Sequence, residues 1–306
     1  MFGYVIRRLG GAVVSLWGVT VITFIIAYAV PADPARTIAG PKAPPSVIHQ
    51  IRVNLGLNLP LPVQYWHYLV RLVHGNLGTS YVYHLPVAHM IMQRAGATIE
   101  LAFGCWIAEL VIGIPLGIYT ALHARKISDY LVSAIALIGI SLPVFWLGLE
   151  LMYYFAFQLS WFPLGGYGGI RHLILPSITY GITGAAIYIR LLKAQMLEVL
   201  NQDYTRTARA KGATDRRVVL RHVLRNALIP VVTFGGIDIG FLLAGVVLIE
   251  ATFNWNGLGM LAYQAVQQLD IPVIMGTVIL IAMLVVLFNL FVDLLYGVID
   301  PRIRYD

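Results

Sequence analysis

The 306-residue sequence is short of charge. Only 11% of its residues are Asp, Glu, Lys or Arg, while 59% are hydrophobic. Soluble domains carry about 25% charged residues. A water-soluble fold of this length would lack polar surface. A soluble enzyme, a disordered chain and a collagen-like fibre are therefore excluded. Cysteine is nearly absent as well: Cys105 stands alone in an apolar run, so no internal disulfide can form. It reads as a small buried hydrophobe. Catalytic motifs are missing too. There is no G-x-x-x-x-G-K-[ST] phosphate loop, no H-E-x-x-H and no G-x-S-x-G. Lys211-Gly212 has the wrong order for a phosphate loop. His84 and His89 read as ordinary polar loop residues, so no catalytic residue and no metal site is expected.

What the chain does have is long apolar runs. A membrane-spanning helix needs about 20 mostly apolar residues. Runs suited to spanning cover 9–30, 99–122, 130–162, 172–192, 231–252 and 273–298. The first, preceded by Arg7-Arg8, imitates a signal peptide, but its length favours an uncleaved helix. The third is long for one helix and short for two, with Pro143 inside it. The expected fold is an all-α integral membrane protein of six transmembrane helices.

The basic residues set the orientation. Nine of the 21 lie between the fourth and fifth runs, from Arg190 to Arg225. Arg7 and Arg8, Arg125 and Lys126, and Arg302 and Arg304 flank other runs. Basic loops stay cytoplasmic. Six crossings put all four basic segments on one side, with both termini cytoplasmic. Two crossings by 130–162 would turn the nine-charge loop outward, so that run reads as one long or bent helix. Residues 31–97 then form a large external loop carrying Tyr65, Trp66, Tyr68, Tyr81 and Tyr83. It reads either as a docking surface or lid or as aromatic anchoring at the interface.

Acids inside apolar runs are costly and point to function by default. Glu109, Glu150, Asp238, Glu250 and Asp293 lie in or near such runs. Two readings stay open for them: structural pairing between helices, or lining of a polar pathway. Residues 203–228 form a distinct cytoplasmic unit. Asp203–Lys211 has helix formers and stops at Gly212. Thr214 can cap a second helix. There Leu220, Val223, Leu224, Ala227 and Leu228 recur at helical spacing, with Arg217, Arg221 and Arg225 on another face. Pro230 marks the entry to the fifth span. The loop reads either as a helix resting on anionic headgroups or as a lever gripped by a cytoplasmic partner. The basic residues sit between membrane spans, so nucleic acid is not an expected partner.

Taken in order, several stretches resemble binding-protein-dependent ABC importer permeases, in particular the dipeptide, oligopeptide and nickel branch. They are Arg7-Arg8-Leu9 leading to Pro31-x-Asp33-Pro34, then Gly75-Asn76-Leu77-Gly78-Thr79-Ser80, then Asp203-Tyr204-x-Arg206-Thr207-Ala208-Arg209-Ala210-Lys211-Gly212. Glu250-x-x-Phe253-x-Trp255-x-Gly257-Leu258-Gly259, Asn289–Tyr296 and Asp300-Pro301-Arg302-Ile303-Arg304 follow. The set covers nearly the whole chain. It departs from the broad importer pattern at Thr207-Ala208-Arg209, where that pattern has Glu-Ala-Ala.

The resemblance implies a multi-pass subunit of a prokaryotic inner membrane. It implies a second homologous permease, two cytoplasmic ATPase subunits and an extracytoplasmic substrate-binding protein as partners. No cofactor is implied on this chain; ATP and Mg belong to the ATPase subunits, so the chain is not itself an enzyme. The contact with the ATPase is assigned to Asp203, Tyr204, Arg206, Thr207, Ala208, Arg209, Ala210, Lys211, Gly212 and Ala213. Asp238, Glu250, Phe253, Trp255 and Asp293 are the candidate pathway or gate residues. The implied function is half of an alternating-access pathway for di- or oligopeptides. The rival readings are an ion-coupled carrier using Asp238 and Asp293, and a non-transporting scaffold.

Overall fold

The computed structural model describes residues 2–29, 34–40, 42–54 and 56–299, with the side chains of 2–5, 28, 29, 34, 37, 244, 245 and 293–299 excepted. The Asp293 side chain, Pro31–Asp33 and Asp300–Arg304 therefore lie outside the described parts. The chain folds into helices: α1 (Phe2–Ala29), α2 (Pro34–Ala39), α3 (Pro45–Asn54), α4 (Leu61–Val73), α5 (Val87–Leu122), α6 (Ile127–Ser141) and α7 (Val144–Leu151). There follow α8 (Gly169–Leu200), α9 (Asp203–Ala210), α10 (Asp215–Arg217), α11 (Leu224–Gly245), α12 (Val247–Thr252), α13 (Leu258–Gln268) and α14 (Ile271–Ile299). Among the described residues the one departure toward β structure is an isolated bridge between Thr79 and Pro86.

Five stretches are long and apolar enough to cross a bilayer: Ile6–Ala27, Val87–Leu122, Gly169–Leu200, Asp215–Leu243 and Ile271–Val292. A sixth arises if the bent pair Ile127–Ser141 and Val144–Gln158 counts as one span. These two helices meet at 104°. The cause is local: Pro143 disfavours a helical residue before it, and Leu142 is accordingly extended, at φ −76° and ψ 137°. The run 130–162 is thus sharply broken rather than gently bent. Beyond α7 the helix widens into a π-helical turn over Met152–Gln158.

Several element limits differ from the sequence reading. Helix α5 begins at Val87, well before residue 99, and its 36 residues extend about 54 Å at 1.5 Å per residue. That exceeds a hydrocarbon core of about 30 Å. Pro230 does not separate the 203–228 segment from a span, because α11 runs straight through it. A proline inside a buried transmembrane helix is tolerated when neighbours satisfy the freed carbonyl. The chain breaks instead at Val246, so 231–252 is two helices.

Contacts divide the chain into two compact units. The first contains residues 1–98 and 256–297. In it Thr20 on α1 hydrogen-bonds the Tyr65 hydroxyl on α4 at 2.9 Å, and Phe24 packs edge-on against Tyr65 and stacks on Tyr68. Tyr65 and Tyr68 are therefore intramolecular anchors, while Trp66 stays exposed. Burial pushes the Tyr68 phenol up, with Tyr65 alongside adding to the shift. A second apolar cluster joins Val87, Met90 and Ile91 to Leu258, Leu261 and Val273.

The second unit covers residues 99–255, with 298–300. Its spine is the packing of α5, α6 and α11 on α8. Glycines allow close approach there, as in other membrane helix pairs. A Cβ on Gly113 would meet the Tyr188 Cβ at 2.6 Å, and one on Gly117 would meet that of Leu192 at 3.1 Å.

Candidate functional site

The elbow at 199–228 is built from the backbone up. Helix α9 starts at Asp203, whose carboxylate suits the positive end of the helix. It stops at Gly212, which adopts φ +81°, a region glycine enters without steric cost. The Gly212 N–H donates to Arg209 O at 2.9 Å and the Ala213 N–H to Ala208 O at 3.2 Å, closing the helix end. Thr214 caps the next turn by accepting from the Arg217 N–H at 3.4 Å.

The elbow is fastened on one side and open on the other. The Thr205 side chain is fully buried and donates to Val199 O at 2.9 Å. Asn226 donates to the Tyr204 hydroxyl at 3.1 Å. Ala208 and Ala213 pack against a core that includes Val218, Val223 and Ala227. Asp203, Tyr204, Arg206, Thr207, Arg209, Ala210, Lys211 and Gly212 all remain exposed. Arg209 pairs with Asp215 at 3.3 Å, on the surface. Eight of the ten residues read from sequence thus make up an exposed ridge, and Ala208 and Ala213 turn toward its support.

The amphipathic stripe beyond the elbow needs correction at one end. Val223, Leu224, Ala227 and Leu228 join the core, but Leu220 is exposed. Val218 is buried in its place. The reason is the π-helical turn Val218–Val223. Its i→i+5 bonding widens the turn and shifts the phase on which the stripe was counted.

Among the in-span acids, Asp238 has a side-chain partner: Tyr188 donates its hydroxyl to Asp238 Oδ2 at 2.6 Å. Glu109 is 1% exposed, and its Oε2 has no hydrogen-bond partner among the described residues. Asp238 is half-buried. A Cβ on Gly184 would overlap the Glu109 carboxyl, so a glycine on α8 makes room for this acid. Sequence reading found both acids but missed Tyr188, which gives no signal inside an apolar run.

Glu250, Phe253 and Trp255 are 0%, 1% and 0% exposed. Trp255 meets Tyr167 edge-on at 4.9 Å, and the Gly166 N–H donates to Phe253 O at 2.8 Å. The Phe253 ring packs over Gly148. Tyr167 in turn donates to Glu100 at 3.0 Å, and that carboxylate pushes the Tyr167 phenol up. The segment is a buried clamp holding the 163–168 turn to α7 and α12.

A further clamp, in the first unit, was not read from the sequence. Asp270, fully buried, accepts from the Ser80 hydroxyl, the Tyr81 N–H at 3.1 Å and the Val82 N–H at 3.4 Å. The Tyr83 N–H donates to Ser80 Oγ at 2.9 Å. The motif Gly75–Ser80 thereby docks on the α13–α14 junction. Its partner lies 190 residues away, which no local pattern announces.

Comparisons with known proteins agree along the whole chain. Residues 113–305 match the family "Binding-protein-dependent transport system inner membrane component", and residues 1–102 match its N-terminal companion family. The chain is 44% identical over 305 residues to the glutathione transport system permease protein GsiC of Escherichia coli K12, covering 100% of both chains. It is 43% identical over 305 residues to that of Salmonella typhimurium, again covering 100% of both. The inward-facing MetNI methionine ABC transporter shares the fold at a TM-score of 0.59 and 21% identity, over 69% of this chain and 96% of that one. An amino acid ABC transporter with histidines gives a TM-score of 0.52 and 14% identity, over 69% and 94%. These findings support the importer permease and not the ion-coupled carrier. The chain belongs to the binding-protein-dependent transport system inner membrane components, as a multi-pass permease subunit of an ABC importer.

Proposed function

We propose that the chain forms half of the translocation pathway of a heteromeric importer for glutathione or similar short peptides. A substrate-binding protein delivers the solute on the outer side, and a second homologous permease completes the pathway. Two cytoplasmic ATPase subunits, holding ATP and Mg, supply the drive. The substrate class rests on full-length similarity to permeases named for glutathione transport. The elbow Asp203–Ala213 is the contact with the ATPase. One observation carries this assignment: an exposed polar ridge stands on a buried core, and a glycine at φ +81° closes it. A ridge so fastened transmits rigid-body motion into the helices it stands on.

The test uses the whole complex in proteoliposomes. Valine at position 212 is strained at positive φ, whereas asparagine tolerates it. Gly212→Val is expected to leave ATP hydrolysis running while uptake of glutathione falls, and Gly212→Asn to keep uptake. Unchanged uptake in Gly212→Val removes the elbow from the mechanism. Uptake by this chain alone, driven by a pH gradient without ATP, overturns the importer assembly.

A further inference from the structure

The groove between α6 and α8 encloses a cavity of about 320 Å³, at the small end of the range for ligand pockets. Its walls are apolar, from Ala136, Leu137 and Ile140 on α6 to Ala186, Ile189 and Leu197 on α8. Two cations, Arg190 and Lys193, also line it. They are not equivalent. Lys193 is paired with Asp129 at 2.5 Å. Asp129 is itself held by the Arg125 N–H at 3.0 Å and by Ser133 at 3.3 Å. Lys193 is thus neutralised within the protein.

Arg190 is exposed and has no ion pair or hydrogen bond among the described residues. It also sits within a stretch apolar enough to span the bilayer. The groove therefore carries one uncompensated positive charge beside an apolar channel.

We propose that this groove binds an anionic phospholipid, with the phosphate on Arg190 and an acyl chain along the α6–α8 walls. Charge complementarity selects this occupant. One unmatched cation calls for one anion, and the apolar walls call for hydrocarbon attached to it. Basic pockets between transmembrane helices bind anionic headgroups in this way. Arg190 lies toward the end of α8 that leads into the basic 203–225 segment, where anionic headgroups are concentrated by charge. The site is independent of which solute the importer carries.

The test is native mass spectrometry of the assembled importer released from nanodiscs of phosphatidylglycerol or phosphatidylcholine. The intact complex is expected to retain phosphatidylglycerol in preference. Arg190→Gln is expected to lower that retention about five-fold, near the worth of one basic residue at an anionic surface. Ala186→Trp, which fills the groove, is expected to abolish it. Should Ala186→Trp fail to assemble, Arg190→Gln decides alone, with Arg190→Lys expected to restore most of the retention. Equal retention of the two lipids, or retention unchanged in Arg190→Gln, overturns the proposal. So does a cross-link from a cysteine at Leu137 to the second permease, which would put protein in the groove.

Discussion

At the scale of single residues, the second unit depends on polar atoms held in apolar surroundings. Asp238 and Tyr188 make the clearest case. Tyr188→Phe removes one donor from a carboxylate that is only half-buried. Asp238→Ala leaves the buried Tyr188 hydroxyl unpaired, at a cost of about 1–3 kcal/mol. Asp238→Ala is therefore expected to lower the thermal midpoint of detergent-solubilised protein more than Tyr188→Phe; the reverse order would sink this account of the pair. Gly184→Ala should be as damaging, since its methyl group enters the space of the Glu109 carboxyl and overpacking costs about 1–3 kcal/mol. The Arg209–Asp215 pair is the opposite kind of contact. It is exposed, and exposed pairs contribute roughly 0–1 kcal/mol. Arg209→Ala should leave the melting temperature in place while weakening ATPase-coupled uptake. A shift in melting with no change in uptake would mean that the ridge is structural only.

At the scale of elements, two clamps tie loops to helices, and they differ in how they fail. The Glu250–Trp255 segment is held by buried rings and backbone bonds, so its loss is gradual. The Asp270 clamp gathers three donors onto one buried carboxylate. Removing it leaves the buried Ser80 hydroxyl without its acceptor, at a cost of about 1–3 kcal/mol. Asp270→Ala is expected to open 80–85 to limited proteolysis, while Asp270→Asn, which keeps one acceptor, opens it less. Equal protection of the wild type and Asp270→Ala would show that the clamp is redundant.

The same elements show what the sequence could disclose. Helices with strong apolar runs, the stop at Gly212 and the Thr214 cap were all legible, because their causes are local. The tyrosine facing Asp238, the Ser80–Asp270 contact and the displaced stripe at Val218 were not. The first two join residues far apart in the chain, and the third depends on a wide turn that leaves the composition unchanged.

At the scale of the whole molecule, charge still governs the expected orientation. The segments at 7–8, 125–126 and 206–225 are all basic and should share the cytoplasmic side. Cysteines placed at Lys211 and at Lys126 should react with a membrane-impermeant thiol reagent only from inside, and one placed at Trp66 only from outside. Labelling of Lys211 and Trp66 positions from the same side would overturn the topology. Cys105 makes that experiment unusually direct. It is the chain's one thiol, and it is completely buried. The unmodified protein is then a chemical blank toward such reagents. Every introduced thiol reports its own address, and no native residue has to be replaced before the mapping begins.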